Sequence, residues 1–579
     1  MERTFIGDFE TTTDINDCRV WAWGLCNIKD TNVYYYGNTL DEFMRLCSDR
    51  KVNYKILKHN LKFDGQFLIS WLLNNGFKHT TDKVERQDKT FNTLISDRGL
   101  FYQIEVVFSR KGKNINKVTF QDSYKLLPMG VKEVAESFKM PYSKGEIDYH
   151  KPRPVGYEPT PEERDYVKRD CIIIAEAVKM FYEQGFNKMT IGSNAFHDYK
   201  EIIGGQKTFN RLFPPTYFDS DIRQSYKGGY VYLNPKYKNK IVKNGLVLDI
   251  NSMYSFVMKE KLLPFGTPIF FQGKYEPDEF YPLYVQTIRC AFDIKDGKIP
   301  TIQIRDHEQF KATEYVTSSN DYQVVLTLTN VDLELFLEHY DPKNIEYFSG
   351  WKFRGTTGLF DEYIDKWINI KEESTKNGNA GMRLISKLFL NALSGKFGTL
   401  PRARSLVPYM NKQGKIAYKR GETTERDSVY VAMSSFICAY GRRYIIETAQ
   451  KITDDFNSGK SDVEYLYSDT DSIHVISRSG EYELPDVELD QSALGKFKIE
   501  SKFKRGKYLR GKCYMLERSD WDKDEYEIEI TVAGMPEECY DQVTFSNFKV
   551  GASYTGKLTP VIVPGGVVLE NIDFSIKEC

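Results

Sequence analysis

The sequence predicts a protein of several domains, α/β in its first third and α+β beyond. The chain has 579 residues, too many for a single hydrophobic core. Strand-like and helical runs alternate through the first third, with no internal repeat and no long low-complexity tract. Further on, apolar strand-like runs and hairpin signals mix with helical stretches.

The first clear element is a strand over residues 5–10. The clearest helix opens at Thr160-Pro161-Glu162-Glu163, a capping box with proline in the first helical position. Val167, Cys171, Ile174, Val178 and Phe181 continue it at helical spacing, and Gly185 is its expected stop. A domain boundary is expected just beyond, near residue 190. Residues 245–250 read as a buried strand. A helix is expected from about 357 to 371, a polar break over 374–379, and a second helix over 380–393. Residues 407–419 read as a hairpin turning at Lys412-Gln413-Gly414, and 463–476 as a hairpin whose turn carries carboxylates.

Composition excludes several classes. At 41% hydrophobic and 28% charged, with 39 Tyr and 37 Phe, the chain is of globular type. No apolar run approaches the ~20 residues of a membrane span, and residues 1–5 lack a secretory signal. Nine cysteines, from Cys18 to Cys579, form no C-x-x-C pair, which argues against zinc and disulfides and for a reducing cytoplasm. The net charge of −1 gives no global sign of nucleic acid. Residues 496–512 do, with eight Lys/Arg against Glu500 and with Phe497, Phe503, Tyr508 and then Tyr514 interleaved. A solvated face is the commoner meaning of such a run. The interleaved aromatics suit a phosphate-tracking segment that stacks on bases.

Two carboxylate sets carry the chemistry. Asp8 and Glu10 share one strand face, where two acids need a cation between them. Alone, a D-x-E is more often a solvent-facing edge. Asp64 in Asn60-Leu61-Lys62-Phe63-Asp64-Gly65 and the pair Tyr166 and Asp170, four apart on the capped helix, complete an ordered set. Four carboxylates can hold two hard cations, with Tyr166 positioning the attacking water. The second set is Asp249, closing an apolar strand, with Asp469 and Asp471 at the hairpin turn of Tyr467-Ser468-Asp469-Thr470-Asp471. As ordinary turn formers these acids would need no metal. Held at the ends of apolar strands they suit phosphoryl transfer with Mg²⁺. Tyr254 lies just beyond Asp249, where it could close a sugar pocket against a 2′-OH. Arg383, Lys387 and Asn391 form a polar stripe on the second helix, running into Gly395, and Lys387 with Lys371 suits a triphosphate.

These segments resemble family B DNA polymerases. Asp8-Phe9-Glu10-Thr11-Thr12, Asn60 to Gly65 and Tyr166-x-x-x-Asp170 match the family's three exonuclease motifs in order. Asp249 to Tyr254, Lys387-x-x-x-Asn391-x-x-x-Gly395, Tyr467 to Asp471 and Lys512-x-Tyr514 match its polymerase motifs. The resemblance runs on to Val563-Pro564-Gly565-Gly566-Val567, and the spacing looks like the protein-primed branch of small tailed bacteriophages. It implies an RNase H-like 3′→5′ exonuclease domain at 1–190, then a right-hand polymerase. Palm would lie at 191–260 and 429–530, fingers at 358–397 and thumb at 531–579. Insertions at 261–357, docking a priming terminal protein, and at 398–428, closing on DNA for processivity and strand displacement, would complete it.

The resemblance also implies roles. Thr11, His59, Asn60 and Phe63 would handle the frayed primer end, Ser123 and Tyr124 would add single-strand contacts, and Lys144 would assist catalysis. Tyr226, Gly228 and Gly229 would contact template, and Lys512 and Tyr514 would bind DNA. It implies two Mg²⁺ per site (Mn²⁺ suits the same donors), dNTPs, primer-template and single-stranded DNA as ligands, no membrane, and a monomer in the bacterial host cytoplasm. Three positions depart from the family: Ser394 for a usual Tyr, Ser255 for a usual Pro, and Cys513 for a usual Thr. The polar break at 374–379 also looks longer than usual. A stand-alone exonuclease would leave Asp249, Asp469, Asp471 and the Lys387 helix without work, and a non-catalytic binding module would leave both acid sets idle. A polymerase primed by oligonucleotides alone is the remaining alternative, separable by a priming assay.

Overall fold

The computed structural model describes residues 2–82, 86–149, 151–215, 217–426, 429–484, 487–523 and 525–578. Met1 and Cys579, and 427–428 at the end of the second insertion, lie outside them. No disulfide joins the described cysteines. No helix among the described residues is long and apolar enough to cross a membrane.

The first third is one eight-stranded sheet. Its strands are β1 (Glu2–Thr11), β2 (Val20–Asn27), β3 (Tyr34–Gly37), β4 (Asn53–Lys58), β5 (Lys78–His79), β6 (Thr90–Ile95), β7 (Phe101–Lys111) and β8 (Asn114–Asp122). They lie in the order β3-β2-β1-β4-β8-β7-β6-β5. β4 is parallel to both β1 and β8, so the chain must cross over, which it does through α1 (Leu40–Cys47) and α2 (Leu61–Asn74). After α3 (Val131–Ser137) comes α4 (Pro161–Glu183), opened by the predicted capping box: Thr160 accepts from the Glu163 amide, and the Glu163 carboxylate accepts from the Thr160 amide. Gly185, at φ +82°, follows its end. The helix lays Cys171, Ile174, Val178 and Phe181 into the core and packs on β1 and β2.

Helices α5 (Ile191–Ile202), α6 (Gln206–Leu212) and α7 (Asp219–Arg223) lead to β9 (Tyr230–Leu233), β10 (Ile241–Ile250) and α8 (Met253–Glu260). Next come β11 (Leu263–Gln272), β12 (Leu283–Ile294), β13 (Ile302–Gln303), β14 (Tyr315–Val316), β15 (Val324–Thr329), α9 (Asn330–His339) and β16 (Tyr340–Thr356). Four of these form a separate sheet, β11-β16-β12-β15. Then follow α10 (Asp361–Lys376), α11 (Ala380–Phe397), the hairpin β17 (Arg402–Met410) and β18 (Ile416–Glu425), and the long α12 (Val431–Asn457). The last third holds β19 (Val463–Thr470), β20 (Ser472–Ser477), β21 (Phe497–Arg510), β22 (Cys513–Asp520) and β23 (Glu527–Val532). Together with β9 and β10 these make a seven-stranded sheet, β23-β22-β21-β10-β20-β19-β9. A last hairpin, β24 (Ser553–Val563) and β25 (Gly566–Ser575), ends the fold.

Several sequence expectations need correcting. α10 starts at Asp361 rather than 357 and runs through Lys376, because Ser374 is buried as part of the helix. The break shrinks to 377–379, where Gly378 takes φ +69°. α11 continues to Phe397, whose ring sits among Phe196, Tyr199, Phe213 and Phe360, so Gly395 lies inside a helix. The aromatics of 496–512 are not stacking platforms. Phe497, Phe503 and Tyr508 are buried, because strand alternation turns them into the core while the basic residues point away.

Candidate active sites

The first acid set comes together in one cavity of about 780 Å³. β1 points Asp8 and Glu10 into it, the start of α2 brings Phe63 and Asp64, and one face of α4 brings Tyr166 and Asp170. The turn into α2 is held by Asn60 at φ +72°, whose amide donates to Asp122 Oδ1 at 3.1 Å. Thr11, His59, Asn60, Lys144 and Tyr149 line the same cavity. The Tyr149 and Tyr166 hydroxyls are 2.9 Å apart. Lys144 Nζ lies 3.7 Å from Asp170 Oδ2.

The field here is strongly negative. Burial, then Asp8 and Asp170, pushes Glu10 well above the usual carboxylate range. Burial raises Asp64 to about 7 against the pull of Lys58, and burial and Asp8 raise Asp170 to about 7. Asp170 Oδ1 is buried with no hydrogen-bond partner. An orphaned carboxylate oxygen among mutually repelling acids fits a hard cation.

Of the two expected single-strand contacts, Ser123 and Tyr124, only Tyr124 is exposed. Ser123 is fully buried, and its hydroxyl lies 3.1 Å from His59 Nδ1, so it orients that ring instead of meeting a strand. His59 Nε2 is tied to the Met129 carbonyl at 2.8 Å. Tyr124 remains partly exposed, with its ring near His59.

The second set sits on the seven-stranded sheet. Asp249 ends β10, and Asp469 and Asp471 flank Thr470, whose φ of +63° makes the turn between β19 and β20. Asp249 pairs with Ser472, and the Ile250 amide donates to the Asp471 carbonyl at 2.9 Å. Burial, then Asp249, raises Asp471 to about 6. Tyr226, Lys227, Gly228 and Gly229 lead into β9, where Tyr230 pairs with Thr470. A Cβ on Gly229 would stand 2.8 Å from Thr470 Cγ2, so only glycine lets this segment lie against the acid turn. Arg442 on α12 donates to the Lys227 and Gly228 carbonyls at 2.8 Å and pairs with buried Asp332 on α9.

Tyr254, on α8, packs against α12, where a Cβ on Gly441 would be 3.2 Å from its ring. Arg383, Lys387 and Asn391 form the predicted exposed stripe on α11. Burial pushes Lys371 down, and so do Arg383, Lys387 and Lys498. Ser394 is buried, its carbonyl accepting from Ser434 Oγ at 2.6 Å. Lys512 Nζ lies 2.8 Å from Asp469 Oδ1. Tyr514 is only half-exposed and stacks on Tyr508, which limits what it offers a primer.

Lys58, and Lys498 from the basic run 496–512, reach the two acid sets through strand register. β4 sets Lys58 beside Gly7 of β1, and its Nζ lies 3.5 Å from Asp64 Oδ2. β21 sets Lys498 opposite Asp249, 3.0 Å away. Every-other-residue burial from Ile56 would have put Lys58 on the inner face. No three His, Cys, Asp or Glu among the described residues stand close enough, as placed, to hold one ion. Asp64, Asp170, Asp249 and Asp469 each have a lysine for counter-ion instead.

Two acid sets on two sheets, with a lysine-bearing helix beside the second, are the layout of a family B polymerase. The family described as "DNA polymerase type B, organellar and viral" matches residues 47–158 and 146–483. The chain belongs to that family and is an enzyme of template-directed DNA synthesis. It is similar to the DNA polymerase of Bacillus phage phi29, 44% identical over 98% of each chain. The DNA polymerase of Streptococcus phage Cp-1 is 31% identical, over 99% of this chain and 98% of its own. The solved phi29 DNA polymerase with primer-template DNA superposes with a TM-score of 0.92 at 43% identity, over 100% of both chains. The same polymerase with single-stranded DNA gives 0.91, over 99% of this chain and 100% of that one.

Proposed function

We propose that the chain is a protein-primed phage replicase whose first acid set is the 3′→5′ proofreading nuclease and whose second is the polymerase site. The observation that carries this is the pair of carboxylate sets built on separate sheets, the first largely buried and the second half-buried. Solved forms of the phi29 polymerase with primer-template DNA, single-stranded DNA and incoming nucleotides support the same ligands here. Residues 1–190 are the nuclease domain, 191–260 and 429–530 the palm, 358–397 the fingers and 531–579 the thumb. The insertions 261–357 and 398–428 take the terminal protein and clamp DNA for processive, strand-displacing synthesis. The chain acts as a monomer in the host cytoplasm.

In the nuclease cavity Asp8, Glu10, Asp64 and Asp170 would hold two Mg²⁺, and in the palm Asp249, Asp469 and Asp471 would do so. The ions supply nucleophile activation and charge neutralisation at phosphorus. The chain's own side chains do the rest. The Tyr166 hydroxyl, held by Tyr149, orients the water that attacks the last phosphodiester. Thr11, Asn60 and Phe63 hold the frayed end, His59 stands fixed beside them, and Lys144 balances charge at Asp170. In the palm, Lys371 and Lys387 bind the triphosphate, Tyr254 closes the sugar side, Asn391 faces the same channel, and Tyr226 to Gly229 guide the template. Lys512 and Tyr514 face the primer.

Two single substitutions test the assignment. Asp249→Ala is expected to abolish primer extension while degradation of single-stranded DNA continues, and Asp8→Ala the reverse. Loss of both activities in either variant would contradict separate sites.

A further inference from the structure

Lys58 closes β4 with a side chain that has no solvent exposure. Its Nζ lies 3.0 Å from the centre of the Phe9 ring, 5.4 Å from that of Phe43 and 3.5 Å from Asp64 Oδ2. Among the described residues it makes no hydrogen bond of ordinary geometry. A buried ammonium is costly unless negative charge offsets it. Burial pulls the Lys58 pKa down, and the charges that oppose it are those of Asp64 and then Asp8. Gly7 makes the placement possible, since a Cβ there would meet Ile56 Cγ2 at 2.9 Å and Lys58 Cε at 3.4 Å. The lysine stem thus packs beside β1 against Phe9 and Phe43, outside the lining of the cavity.

We propose that Lys58 is a built-in counter-ion of the nuclease carboxylates: its ammonium positions Asp64 and competes with a divalent cation for it. This rests on reading the cavity as the nuclease site. A cation bound by Asp8 and Asp64 would feel a fixed positive charge within a few ångströms in a poorly solvated setting. The site therefore binds its metal more weakly than four acids would dictate, and divalent-ion concentration sets how readily proofreading switches on.

The test is Mn²⁺ binding, followed by the electron-spin resonance of the free ion. The full chain carries Asp249→Asn and Asp471→Asn, so that palm ions do not contribute. Lys58→Met keeps the stem length and suits the aromatic bed. The expected result is Mn²⁺ binding about tenfold tighter, and a larger rise in melting temperature on adding Mn²⁺, than with Lys58 present. Lys58→Arg is expected to restore the weaker binding. Unchanged or weaker binding in Lys58→Met overturns the proposal. Mn²⁺ binding that ignores Asp8→Asn in both backgrounds overturns instead the reading of the cavity as a nuclease site. If Lys58→Met does not fold, recovery of folding by added Asp64→Asn supports the charge pairing, and continued misfolding overturns it.

Discussion

A carboxylate buried among carboxylates stores a proton until a cation replaces it. Asp64 and Asp170 titrate near 7 in the folded chain against an ordinary value of 3.8. Between about pH 4 and 7 the folded state therefore binds more protons than the unfolded one, and stability falls as pH rises through that window. Metal-free protein is expected to lose melting temperature from pH 4.5 to 7.5 more steeply than an Asp64→Asn, Asp170→Asn variant, and Mg²⁺ to return the difference at pH 7.5. Equal slopes in the two proteins would contradict the shifted carboxylates. At this scale the acids were legible because each motif is local: two apart on a strand, four apart on a helix, or on a hairpin turn. Lys58 and Lys498 were not, because strands distant in sequence bring them to their acids. The burial of Ser123 is likewise not announced locally, since its hydroxyl meets His59, 64 residues away in sequence.

Elements were legible where caps or turns mark them. The capping box at Thr160 fixes the start of α4 within a residue. Val407 and Lys419, the limits expected for the third-quarter hairpin, pair directly, though the strands extend well past them. What no local pattern announces is how elements lock together. Tyr418 on β18 donates to Gln66 Oε1 on α2 at 2.7 Å, tying the hairpin to the helix that carries Asp64. Arg442 ties α12, α9 and the segment before β9 in one buried knot. Arg442→Met would leave Asp332 buried and unpaired, at a cost of ~3–5 kcal/mol. It would also free the Lys227 and Gly228 carbonyls. The expected outcome is a lower melting temperature together with weaker primer-template binding in a gel-shift assay. Full DNA affinity in a destabilised variant would confine Arg442 to a purely structural part.

For the whole molecule, the least legible feature is that the first strand and the last hairpin meet at the cavity of the first acid set. Leu558, Thr559 and Pro560 of β24 and Val567, Val568 and Leu569 of β25 line it opposite the acids. The Gly565-Gly566 turn makes the fit. Gly565 has φ +95°, and a Cβ there would be 2.4 Å from the Cys18 carbonyl; one on Gly566 would be 2.5 Å from the Phe67 ring. The Gly-Gly pair was visible in the sequence, but its partners, Cys18 and Phe67, lie near the other end of the chain. Gly565→Ala is expected to lift the hairpin and to slow degradation of single-stranded DNA more than extension of a matched primer. Equal slowing of both would point to general destabilisation.

Synthesis and degradation at two sites of one chain can be read in a single experiment, with a labelled primer annealed to a longer template. The reaction contains Mg²⁺ and is run with and without dNTPs. Extension with dNTPs and stepwise shortening without them is the predicted result. Shortening under both conditions, at every dNTP concentration, would contradict it and leave the second acid set without a reaction.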